Sequence, residues 1–212
     1  MIKALLLIFE SGPAWDRVVQ AKRSLFFVLM VYLVPMILIT TIVEGWALEH
    51  WGKLQGRIQE VKVFTANEVL AYETVQFLFL LVAILVCARF VQIVTQTFHG
   101  RQTFTQSFKA VAYGLSPMFL LKLLDIAPTM NPWVTWSLGI VLSVWILYQG
   151  LPRIMTPDPT HAFGVYLVTA LVLILATGMV RTLTALYLLG WIDLNHSYLT
   201  REIMQLIAQF HF

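Results

Sequence analysis

The chain has 212 residues, of which 59% are hydrophobic and only 12% carry a charged side chain. Its mean hydropathy is +0.78, whereas soluble domains are close to half apolar, with about a quarter of their residues charged. This composition excludes an ordinary soluble enzyme and indicates a protein that lies in a bilayer. The net charge of +3 comes with no basic run interleaved with aromatic residues, so nucleic-acid binding is not expected.

Five apolar stretches are each close to the ~20 residues that a helix needs to cross ~30 Å of hydrocarbon. Within such a span, only a helix satisfies its own backbone hydrogen-bonding groups. The sequence therefore predicts an all-α polytopic membrane protein with five transmembrane helices plus interfacial amphipathic helices. The predicted spans are Leu25–Val43, Val75–Thr97, Phe108–Leu124, Trp133–Leu151 and Ala162–Val180.

These spans divide the chain into three parts. Residues 1–24 are predicted to be a cytoplasmic amphipathic N-terminal segment, and residues 25–190 the five-span membrane domain. Within that domain, residues 44–74 are predicted to form an external helical segment. Residues 191–212 are predicted to be an external amphipathic C-terminal helix.

The N-terminal segment is predicted to hold a short amphipathic helix. Pro13 follows Ser11 and Gly12, and proline is favoured in the first turn of a helix. Such a helix is suited to lying in the inner headgroup layer. The alternative is a polar lead-in that only sets the topology. The apolar face would hold Trp15, Val18 and Val19, and the basic face Arg17, Lys22 and Arg23.

Two apolar stripes outside the spans are candidate protein interfaces. In the external segment and again near the C-terminus, apolar residues recur at offsets of three and four, which predicts helices with one apolar face each. Each stripe needs a partner, which is the outer leaflet, the ends of the other helices or another protein. The first stripe is Ala47, Trp51, Leu54, Ile58 and Val61, and the second is Leu199, Ile203, Leu206 and Phe210. The candidate interface residues are Trp51, Leu54, Ile58, Ile203 and Phe210.

Local signals predict where several helices begin. Thr65 with Glu68, and Thr103 with Gln106, have the spacing of capping boxes. The second helix should therefore begin well before its apolar span and reach roughly 30 residues, or about 50 Å. Asn131 is a predicted N-cap of the fourth helix, and Pro117 is a predicted kink in the third.

Basic residues near the span ends predict the orientation. With the N-terminus inside, eight of the fourteen Lys and Arg residues fall on the cytoplasmic side, and eight of the eleven acids fall outside. We therefore expect a cytoplasmic N-terminus and an external C-terminus. The inner basic residues are Lys3, Arg17, Lys22, Arg23, Arg89, Arg101, Lys109 and Arg153.

No pattern in the chain predicts catalysis. The five histidines are scattered over both sides of the membrane without metal-ligand spacing. The motifs of nucleophilic hydrolases, P-loop enzymes and zinc proteases are missing from the sequence. We therefore expect no enzyme activity, no catalytic residue, no metal and no cofactor.

Charges near the hydrocarbon are the candidate polar site. Arg181 lies at the outer end of the last span, and Glu44, Glu73 and Asp125 are predicted at the same level on other helices. We expect an intramembrane ion pair between Arg181 and one of these acids, and the alternative is a substrate-binding role. Lys122 is three residues from Asp125 on one helix end, so these two are expected to pair with each other.

Three short motifs lie along the chain: Pro13 followed by Trp15, a tyrosine-x-x-x-proline formed by Tyr113 and Pro117, and Tyr148 with Gly150 at the end of the fourth span. Together they resemble the Yip domain, the family of Ypt/Rab-interacting membrane proteins. The resemblance implies a five-span membrane protein without enzymatic chemistry. Eukaryotic members are associated with trafficking and Rab GTPases, and they have a long cytoplasmic N-terminal region. This chain lacks that region and is similar to the compact bacterial members of the inner membrane.

The leading functional hypothesis is a scaffold or accessory subunit of a membrane-protein complex. Its expected partners are the lipid bilayer and other membrane proteins, and a homo-oligomer is left open. The alternative is a small transporter or lipid-handling protein. The charges are predicted at the membrane edge, whereas a transport path usually needs polar groups at mid-membrane.

Overall fold

Five long helices dominate the computed structural model, which describes residues 2–55, 60–98, 103–127, 130–156 and 160–189. Each is long and apolar enough to cross a membrane. The predicted all-α, five-span architecture is therefore confirmed. The predicted C-terminal helix, with Ile203 and Phe210, lies outside the described residues, as does Ile58. The five spans are Leu25–His50, Ala66–Thr97, Phe104–Ile126, Pro132–Met155 and Ala162–Leu188.

The described elements follow one another without a second domain. A π-helical turn, Leu29–Leu33, joins α3 to α4, and a 3-10 turn, Leu123–Ile126, follows α7. The first span is thus α3 with α4, and the third is α6 with α7. The helices are α1 (Ile2–Phe9), α2 (Ser11–Gln20), α3 (Leu25–Val28), α4 (Val34–His50), α5 (Ala66–Thr97), α6 (Phe104–Gly114), α7 (Ser116–Lys122), α8 (Pro132–Met155) and α9 (Ala162–Leu188).

A β-hairpin replaces part of the predicted external helical segment 44–74. After α4 the chain forms strands β1 (Lys53–Gln55) and β2 (Glu60–Lys62), which pair antiparallel with Lys53 opposite Lys62. The helix ends because Gly52 has a φ of +67°, a left-handed conformation that glycine adopts without strain. The prediction of one continuous apolar helical face from Ala47 to Val61 was therefore wrong.

Helix caps were predicted well from local sequence. The capping boxes of Thr65 with Glu68 and of Thr103 with Gln106 are both present. The Asn131 side chain accepts a hydrogen bond of 2.9 Å from the backbone N–H of Trp133. Helix α5 has 32 residues, so it is about 48 Å long at ~1.5 Å per residue.

The third span is interrupted at Leu115, two residues before Pro117. Proline has no backbone N–H, so the carbonyl of Tyr113 loses its helical donor. The Ser116 hydroxyl donates to that carbonyl instead, and it also contacts the Tyr32 hydroxyl of the first span. Side-chain compensation of this kind allows a proline inside a membrane helix.

The N-terminal segment packs into the bundle as a pair of short helices. Helix α2 packs against α8, and α1 packs against α7 and α8. Trp15 and Leu7 are fully buried. Trp15 is therefore buried in protein and does not face the headgroup layer, whereas Val19 of the same predicted face is 43% exposed.

Candidate functional site

Charged residues of four different helices or turns gather at the end of the bundle that carries the β-hairpin, called here the hairpin end. Glu44 of α4 is 1% exposed. Its carboxylate lies 2.8 Å from the Lys122 ammonium of α7 and 3.6 Å from the Arg181 guanidinium of α9. A carboxylate is thus shared by two cations from different spans.

Helix α5 supplies the neutral polar partners of Glu44. The Gln76 amide donates a hydrogen bond of 2.8 Å to Glu44 Oε2, and the Tyr72 hydroxyl lies 3.4 Å from Oε1. The same hydroxyl lies 2.9 Å from the Gln76 carbonyl oxygen. Both oxygens of Glu44 therefore have partners, as a buried carboxylate requires.

Asp125 occupies the other side of the Arg181 guanidinium. Its Oδ1 accepts a hydrogen bond of 2.6 Å from the Thr135 hydroxyl of α8, while its Oδ2 lies 4.0 Å from Arg181 Nη2. Asp125 is 5% exposed and Arg181 is 7% exposed. Within the described part of the chain, the Nε of Arg181 has no hydrogen-bond partner.

Glu73 lies at the edge of this cluster and not at its centre. The Gln76 amide lies 3.3 Å from Glu73 Oε2, and the buried Oε1 has no hydrogen-bond partner among the described residues. The structure thus brings Arg181 to Glu44 and Asp125, with Glu73 one side chain away. Lys122 contacts Glu44 and not Asp125, so their predicted pairing on one helix end was wrong.

The topology explains why these side chains meet. Spans 1, 3 and 5 end at the hairpin end, and spans 2 and 4 begin there. Polar residues in the last turns of the odd spans and the first turns of the even spans therefore share one depth. The sequence reasoning missed Tyr72, Gln76 and Thr135, although polar side chains within membrane spans at that depth were the available signal.

A cavity of about 490 Å³ opens beside the cluster. Glu44, Asp125 and Arg181 line it together with Lys53 of the hairpin. Burial lowers the pKa of Lys53, and the nearby carboxylates of Glu44 and Asp125 oppose that shift. Most of the other lining residues are apolar, among them Leu48, Trp133 and Leu188, and Asn131 is polar. The cavity thus combines a few charged and polar groups with a largely apolar lining.

A second arrangement of sequence-predicted residues lies nearer the opposite end of the bundle. The Trp15 indole donates a hydrogen bond of 3.1 Å to the Ile146 carbonyl of α8. Gly150, one turn later, leaves room for the indole ring, since a Cβ at that position would overlap it. The ring also meets Tyr113 edge-on, with centroids 6.5 Å apart. The aromatic and glycine residues thus join α2, α6 and α8.

The Yip1 domain matches residues 5–180, which is most of the chain. The chain belongs to the Yip1 domain family. Its comparison with curated proteins and with solved structures gives no match. In this Yip1 domain, Pro13 lies in the first turns of α2 and Pro117 opens α7. Tyr148 is half exposed and meets Tyr166 of α9 edge-on, with centroids 5.2 Å apart.

The structure of this Yip1 domain describes two of the five candidate interface residues, Trp51 and Leu54. Trp51 follows α4 directly, is 51% exposed and lies edge-on to Trp46 with centroids 6.4 Å apart. Leu54 lies in β1, opposite Val61. The other three, Ile58, Ile203 and Phe210, fall outside the described ranges.

Proposed function

We propose that this Yip1 domain protein is a non-enzymatic integral membrane protein that acts as a scaffold or accessory subunit of a membrane-protein complex. The observation that supports it is the apolar surface of the hairpin segment. Trp51, Val61 and Val63 lie outside the five spans and are 51%, 61% and 56% exposed. Aromatic residues at such positions dominate the energetics of protein interfaces.

The packing of the opposite half of the bundle also favours this role. Trp15, Phe108 and Tyr113 are each at most 2% exposed, and Trp15 of α2 contacts both α6 and α8. Interiors packed in this way move little, which suits a rigid platform.

Replacing Trp51 with Glu is expected to abolish binding of the partner, because a carboxylate in an apolar contact must lose its hydration. A photo-crosslinking residue at position 63 would identify the partner in membranes, and mild-detergent purification would then measure its retention. Trp51→Phe keeps an aromatic side chain and is expected to retain the partner. Retention of every partner by Trp51→Glu would contradict the scaffold role, as would transport of a solute or lipid by the purified protein alone in liposomes.

A lipid-handling role, or transport of a small solute, is the second candidate function. The observation that favours it is the cavity at the hairpin end, which joins buried charges to apolar walls. Small-molecule sites combine these same features, a mostly apolar lining and a few placed polar groups.

We further propose a bacterial inner membrane location, with the N-terminus in the cytoplasm and the hairpin end outside. In a Cys87→Ala background, Val61→Cys should react with an impermeant maleimide on intact cells. Gln20→Cys, at the end of α2, should react only after permeabilisation. Both side chains replaced are exposed in the fold, so reactivity reports the side of the membrane. The reverse labelling pattern would overturn the orientation.

A further inference from the structure

We propose that the cavity at the hairpin end binds a phosphate oxyanion, carried by the headgroup of a phospholipid, between Arg181 and Lys53. This inference goes beyond the scaffold role and does not depend on it. It concerns a site lined by α4, α9, the hairpin and residues that precede and begin α8, such as Asn131 and Trp133.

The guanidinium of Arg181 is the main reason. Its side chain is 8% exposed, and its contacts with Glu44 and Asp125 are 3.6 and 4.0 Å, longer than hydrogen bonds. Its Nε is fully buried and has no partner in the described part of the chain, so a ligand in the cavity would meet the two terminal Nη groups. A buried cation with unused donors is costly, and the planar fork of an arginine matches two oxygens of a phosphate.

The acids of the cluster are already engaged by other groups. Glu44 is held by Lys122 at 2.8 Å and by Gln76 at 2.8 Å. Asp125 accepts from Thr135 at 2.6 Å. Their other oxygens, Glu44 Oε1 and Asp125 Oδ2, face Arg181 at 3.6 and 4.0 Å and make no hydrogen bond to it. An oxyanion in the cavity would supply the hydrogen-bond acceptor that neither carboxylate supplies.

Lys53 supplies a second cation on the same cavity. Burial favours its neutral form, and an oxyanion beside it would favour the ammonium instead. The cavity volume of about 490 Å³ falls within the range of small-molecule sites, ~300–1,000 Å³. A free ion would leave the apolar residues of the cavity without a contact. A glycerophosphate group, together with the first carbons of its acyl chains, would cover them.

The test uses the full chain purified in a non-ionic detergent that lacks phosphate. Native mass spectrometry would measure binding of phosphatidylglycerol, of diacylglycerol with the same acyl chains, and of inorganic phosphate. One equivalent of phosphatidylglycerol should bind, and diacylglycerol should not. Lys53→Gln should weaken that binding on the order of tenfold, as expected for one charge-assisted hydrogen bond.

Lys62→Gln is the matched control, because Lys62 is the hairpin partner of Lys53 but contacts Glu68 instead of the cavity. It should leave the affinity unchanged. Arg181→Lys, with its fold verified by thermal unfolding, keeps the charge but loses the fork and should also bind more weakly. In another outcome, inorganic phosphate binds saturably and needs Lys53, while the lipid does not bind. That result would keep the oxyanion site and identify its ligand as a soluble phosphate. Equal binding of diacylglycerol, or equal affinity in Lys53→Gln, Lys62→Gln and wild type, would overturn the proposal.

Discussion

Replacing Glu44 with Ala is expected to destabilise the folded protein by about 3–5 kcal/mol, as found when one partner of a buried ion pair is removed. The change would leave Lys122 without its carboxylate at 2.8 Å and Arg181 without its closer acid at 3.6 Å. It would also leave the Gln76 amide without its 2.8 Å acceptor. Equilibrium unfolding in mixed micelles of mild and denaturing detergent would measure the loss.

An exposed ion pair of the same chain provides the control for Glu44→Ala. Glu10 and Arg17 are 3.0 Å apart, but their side chains are 57% and 55% exposed. Glu10→Ala should therefore change the free energy of unfolding by at most about 1 kcal/mol. The double variant Glu44→Met with Lys122→Met should be more stable than Glu44→Ala, because it removes a buried cation together with its acid. A Glu44→Ala protein as stable as Glu10→Ala would show that the cluster is hydrated or dispensable.

The height of the buried charged residues along the helix bundle could be predicted from the sequence, because residues near the same end of their spans lie at a similar height. Arg181, Glu44 and Asp125 each stand near the same boundary of an apolar stretch, so their proximity follows from an up-and-down order of helices. Which pairs form could not be predicted, since the rotation of each helix about its axis is set by packing. Lys122 is an example. Asp125 lies three residues away in the chain, but the Lys122 ammonium contacts the Glu44 carboxylate of α4.

The hairpin shows a different limit of sequence reasoning. An offset of three and four residues is compatible with a helix over a few turns, but one left-handed residue ends that helix whatever the later periodicity. Gly52 is that residue. The β-branched residues Val61 and Val63 alternate with polar or aromatic neighbours and favour a strand. Capping boxes, by contrast, depend only on four adjacent residues and were predicted correctly.

Replacing Trp15 with Ala is expected to cost about 3 kcal/mol or more of folding free energy, the usual loss for a large aromatic truncated in a packed core. Trp15 is fully buried, donates to the Ile146 carbonyl at 3.1 Å and contacts Tyr113. Because it joins α2 to α8, its loss should also release the N-terminal helices, which limited proteolysis would detect as cleavage near residue 21. Trp15→Phe keeps most of the ring and loses the N–H donor, so its cost should be about 1 kcal/mol.

The same contact can be tested from α8 by changing Gly150 to Ala. A Cβ at Gly150 would overlap the Trp15 indole, so the ring or α2 must shift, and overpacking of this kind costs about 1–3 kcal/mol. Gly164→Ala in α9 is the matched control, because among the described residues its new Cβ would meet only the Phe98 ring, at 3.8 Å. That variant should be unchanged or more stable by up to about 1 kcal/mol, since Ala favours a helix over Gly. Equal stability of the two alanine variants would mean that the indole does not occupy the space above Gly150, and that α2 is held to the bundle by other contacts.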